Sequence, residues 1–64
     1  RERGVTNIPY LGKLYYSAAL ELGAYGMLAA AREHFRLSAE FYEKGGCAKL
    51  AEQSMNEYKN LSDD

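Results

Sequence analysis

Residues 27–44, MLAAAREHFRLSAEFYEK, carry the pattern that most limits what this chain can fold into. On a helical wheel of about 100° per residue, one side holds Leu37, Ala30, Phe41, His34, Met27, Ser38, Ala31, Tyr42, Phe35 and Leu28. The other side holds Arg32, Glu43, Arg36, Glu40, Glu33 and Lys44, with Ala29 among them. The apolar arc spans about 180°, whereas a helix lying on one partner needs a stripe of roughly 100° or a little more. A half-cylinder calls for a neighbour on each flank. Arg36–Glu40 and Glu40–Lys44 are opposite charges four residues apart and support the helix. Gly45-Gly46 then stops it, with a glycine expected in the left-handed position beyond the last turn.

Two more helices must therefore come from the remaining sequence, and the chain has only 64 residues. That is one small domain, residues 1–64, with 1–6 and 62–64 expected to be mobile. A domain of this size buries only about 60% of its unfolded surface. Its core alone rarely contributes more than about 3–5 kcal/mol. The usual supplements are disulfides, metal or assembly. A single cysteine, Cys47, excludes an internal disulfide and argues against a structural zinc site. Assembly remains, so an oligomer or a larger partner is expected. With 8 basic and 9 acidic side chains and a net charge of −1, no basic excess favours nucleic acid. The lone thiol fits a reducing compartment, and a cytoplasmic location is expected.

The first helix is expected over residues 8–22. Pro9 is welcome in its first turn, and Thr6 or Asn7 can cap it. Ile8, Leu11, Tyr15, Ala18, Leu22 and Tyr25 step by three and four, the spacing of a helix packed lengthwise on another. Its back is unusual. Tyr10, Tyr16 and Leu20 lie off that seam, and Lys13 and Glu21 are the only charges between Ile8 and Leu22. A helix apolar nearly all round is normally buried. Tyr10, Lys13, Tyr16 and Leu20 are accordingly the candidate interface. Lipid is a poorer match for residues 8–31, which hold Lys13, Glu21 and the two mid-segment glycines Gly23 and Gly26.

Gly23-Ala24-Tyr25-Gly26 reads as a tight turn, because each glycine costs about 1 kcal/mol inside a helix relative to alanine. The alternative is a continuous helix over 8–44 in a long helical hairpin. A third helix over residues 47–61 has one wet face, with Leu50, Ser54, Tyr58, Ala51, Met55, Cys47 and Leu61 on the other side. No segment alternates with a period of two. The fold expected is all-α, a three-helix up-down-up bundle.

Leu11-Gly12-Lys13-Leu14-Tyr15, Gly23-x-Tyr25, and the spacing of Ala39, Tyr42, Gly46 and Ala51 resemble the helix-turn-helix units of tetratricopeptide repeats. The resemblance implies a fold that binds peptides or helices and carries no catalysis.

Candidate chemistry is sparse. His34, the only histidine, sits in the middle of the apolar arc, where it could be a haem or metal ligand or a pH switch, or simply pack with its ring bonded to a carbonyl, a tyrosine hydroxyl or water. The residue three before it is Ala31, so no carboxylate on this helix shares a metal with it. Cys47 opens the last helix, where a thiol is easily ionised, though a first-turn core cysteine is the commoner case. Arg32 and Arg36 could hold a phosphate among the neighbouring glutamates. No nucleophile with a base and no phosphate-binding glycine loop is present. The expectation is a non-catalytic interaction or assembly module with no metal and no cofactor. The alternative is a bundle that holds an apolar ligand or cofactor with His34 as its polar contact.

Overall fold

A computed structural model of the chain describes residues 8–62. They form three helices: α1 (Ile8–Ala24), α2 (Leu28–Lys44) and α3 (Ala48–Ser62). Among the described residues there is no strand. The chain runs up, down and up, and α1 and α3 both pack along α2. The half-cylinder of α2 has found its two neighbours. The hairpin with a continuous helix over 8–44 is not formed. The expected cap at Thr6 or Asn7, the mobile lead-in and the fraying of Asp63 and Asp64 fall outside the described residues. Ser62, expected to fray with them, is the last residue of α3.

The two turns, which lead into α2 at residue 28 and α3 at residue 48, are built alike. At the end of α1, Met27 N–H donates to the Leu22 carbonyl at 2.9 Å and Gly26 N–H to the Gly23 carbonyl at 3.1 Å. At the end of α2, Cys47 N–H donates to Tyr42 O at 2.8 Å and Gly46 N–H to Glu43 O at 3.0 Å. Each pair of bonds is a Schellman closure around one left-handed glycine, Gly26 (φ 83°) or Gly46 (φ 82°). The break is thus narrower than Gly23–Gly26. Gly23 and Ala24 remain helical, and α1 is two residues longer than its periodicity predicts.

The core consists mainly of small side chains. Ala19, Ala31, Phe35, Ala39, Tyr42, Ser38 and Ser54 are buried. Gly12 is buried as well, and a Cβ there would stand 2.8 Å from the Tyr42 ring. Only hydrogen at that position lets the backbone of α1 lie against the ring. The Gly45 backbone meets Pro9 just as closely, a built Cβ lying 2.6 Å from the proline ring. Glycine at these two points lets the first turns of α1 lie close against the end of α2.

One chain of hydrogen bonds joins all three helices. Ser38 Oγ on α2 donates to the Gly12 carbonyl on α1 at 2.7 Å. Its only proton is then used, so the 2.9 Å contact between Ser54 and Ser38 has Ser54 of α3 as donor. Both hydroxyls are fully buried.

Candidate functional site

The contact between α1 and α2 decides which side of α1 remains available. Gly12 and Ala19 mark the centre of the buried face. Relative to the seam of Ile8, Leu11, Tyr15, Ala18 and Leu22, the covered side, opposite the exposed residues centred on Ser17, has turned by roughly 40° at 100° per residue. The cause is Gly12 and Ala19, which allow closer approach than the larger residues of the expected seam. Two corrections follow. Tyr25 is not a seam residue but lies in the turn, 79% exposed. Tyr16 is not on the back of α1. It is half-buried, and its ring meets Phe35 edge-on with centroids 5.3 Å apart.

Of the candidate interface, Tyr10, Lys13 and Leu20 are exposed, and Tyr16 is half-buried against Phe35. Leu14 joins them, a residue that periodicity did not single out. Tyr10 is 52%, Leu14 46% and Leu20 51% exposed. With Ser17, Glu21 and Ala24 they make up the whole exposed side of α1. They follow one another by three, one, three, three, one and three, a stripe along the length of the helix.

His34 faces the other crevice of the α1–α2 pair. Its Nδ1 lies 2.8 Å from the Ala30 carbonyl, and since a carbonyl only accepts, Nδ1 carries the proton. The Tyr15 ring lies against it at 5.6 Å, tilted 53°, and Tyr15 also stacks on Phe41 at 5.4 Å. The adjoining groove, about 270 Å³, is lined by Leu11, Leu14, Tyr15, Ala18 and His34. That is just below the range of roughly 300–1,000 Å³ usual for small-molecule sites. Among the described residues, no three His, Cys, Asp or Glu side chains stand together as metal ligands would. A larger groove, about 640 Å³, lies between α2 and α3 over Ala39, Ala48 and Ala51, with Met55 and charged residues at its rim.

Compared with protein families, with curated proteins and with solved structures, the chain matches none. The site is therefore read from its own chemistry.

Arg36 is committed within α2. It is paired with Glu33 one turn before it, and Glu40 lies at 3.8 Å on its other side. The hydrogen bond from Arg36 holds the Glu33 carboxyl below its usual 4.5 and raises Arg36 in return. Arg36 is thus neutralised within α2 by the two glutamates. Tyr42 is pushed above its ordinary value of 10.0, first by burial and then by the nearby Cys47 and Tyr16. Cys47 is half-buried and unpaired. Among the described residues, no helix is long and apolar enough to cross a membrane.

Proposed function

We propose that this protein is a non-catalytic assembly module that associates through the outward side of α1, with copies of itself or with a larger protein subunit. One observation carries the reading: Tyr10, Leu14 and Leu20 stay about half exposed on one side of a single helix. Scattered exposed apolar residues are ordinary, whereas three along one helix face form a patch that gains from being covered. Tyrosine among them adds large contact area with a polar tip, a common interface residue. The repeat-like segments Leu11–Tyr15 and Ala39–Ala51 support the same role. Nucleic acid and membrane are not partners in this reading. The lone thiol of Cys47 supports a cytoplasmic location in this reading.

The test is the native mass of a Leu14→Asp/Leu20→Asp variant beside that of the parent chain, by light scattering on a sizing column. The expected result is an assembly for the parent and the 7.2 kDa chain alone for the variant, with helical circular dichroism unchanged. A parent that stays monomeric at every concentration, or an assembly unmoved by the two aspartates, overturns self-association through α1. The ligand-binding alternative, with His34 as polar contact, has the 270 Å³ groove as its support. Added mass or absorbance in the purified protein would favour it instead.

A further inference from the structure

The exposed stripe of α1 is self-complementary about its own midpoint. Ser17 stands at the centre. Lys13 and Glu21 lie four residues before and after it, Leu14 and Leu20 three, Tyr10 and Ala24 seven. All seven residues are exposed. Two independent pairs, one charged and one apolar, therefore define the same centre. Lys13 and Glu21 are also the only charges on α1, and neither forms an ion pair within the described residues.

On this basis we infer that the partner is a second copy of this chain, with two α1 helices packed antiparallel across a two-fold axis at Ser17. The inference rests on the assembly reading above and names its partner and register. A two-fold contact places the same patch on both subunits, each residue meeting the one that its own counterpart meets. In this register, Lys13 and Leu14 of one copy lie level with Glu21 and Leu20 of the other, and the same layer occurs twice. The ammonium of Lys13 reaches the carboxylate of Glu21, while its methylene stem covers Leu20. Leu14 and Leu20 close the layer. Small Ser17 meets itself at the axis, where the backbones come nearest. Tyr10 lies level with Ala24, a large ring over a small residue. Parallel packing would instead set Lys13 against Lys13 and Glu21 against Glu21. A 17-residue helix is about 25 Å long. Pairing over that length lies at the small end of specific interfaces, so the dimer exchanges with monomer on dilution.

The test uses opposite charge reversals of the full chain. Lys13→Glu alone, or Glu21→Lys alone, sets like charges together in both layers and weakens self-association by about tenfold or more, roughly 1.4 kcal/mol. Mixing the two variants restores the opposite pairs in both layers, so an equimolar mixture forms a heterodimer that neither makes alone. A second measurement is independent of charge. Ser17→Cys in a Cys47→Ser background is expected to form a disulfide-linked dimer on mild oxidation, while Gln53→Cys on the exposed side of α3 in the same background is not. Variants that assemble like the parent, or a mixture that stays monomeric, overturn the antiparallel register. If the Leu14→Asp/Leu20→Asp variant still dissociates in that case, association through α1 stands and only the register falls. If it does not, both fall.

Discussion

Ser38 and Gly12 together fix how closely α1, α2 and α3 approach. The Ser38 hydroxyl gives its proton to Gly12 O and receives one from Ser54, so the two serines are not equivalent. Ser38→Ala leaves the buried Ser54 hydroxyl without its acceptor and is expected to cost about 1–3 kcal/mol. Ser54→Ala leaves Ser38 still bonded to Gly12 and is expected to cost about 0.5–1.5 kcal/mol. Urea unfolding of both variants checks this, and equal costs would contradict the assigned direction of donation. A helical wheel puts Ser38 and Ser54 among apolar residues, but their bonds join positions 26 and 16 residues apart, which local periodicity does not encode. His34 was legible to the extent that a packed histidine on a carbonyl was one of its two readings. The choice of Ala30 O depended on the structure. Tyr42 carries a pH dependence. Its folded pKa is raised above the unfolded one, so its contribution is present in full below pH 10 and is lost as pH rises through the folded value. Denaturant midpoints at pH 8 and pH 11 should fall for the parent chain and fall less for Tyr42→Phe.

At the scale of the helix, the glycines divide into three kinds that sequence alone does not separate. Gly12 is a contact, Gly26 and Gly46 are turns, and Gly23 is an ordinary helical position whose added Cβ would only touch Ala31 at 4.0 Å. Gly23→Ala should therefore stabilise the fold by up to about 1 kcal/mol through helix propensity. Gly12→Ala gains the same propensity but drives a methyl into the buried Tyr42 ring. Overpacking of this kind costs about 1–3 kcal/mol, so the net effect is destabilising. Gly26→Ala places a Cβ in the left-handed region, at about 1–2 kcal/mol. Thermal unfolding of the three variants should rank Gly23→Ala above the parent chain and the other two below it. The three helices and both turns were legible because apolar arcs and glycine stops are local signals. The rotation of α1 was not. Periodicity ranks Leu11, Tyr15 and Leu22 as the seam, whereas close packing favours the smallest residues, Gly12 and Ala19. The same rotation set Tyr16 half-buried against Phe35 and left Leu14 exposed.

Among the described residues, α2 has neighbours on both flanks while α1 has one covered side and one exposed one. Small side chains dominate the core, which limits the apolar area that three helices of 17, 17 and 15 residues can bury. Covering the bare side of α1 adds to folding stability by mass action, so thermal stability should rise with protein concentration. The expectation of an interface comes from length, a single cysteine and a first helix apolar on both sides. The residues of the proposed interface depend on the rotation of α1, since the symmetric stripe about Ser17 appears only once Tyr16 is removed from it and Leu14 is added. The most direct test is the mass of the parent chain by light scattering across a dilution series. The result predicted is two copies of the 7.2 kDa chain at high concentration, moving reversibly to one on dilution. A single 7.2 kDa species at every concentration would contradict self-association through α1.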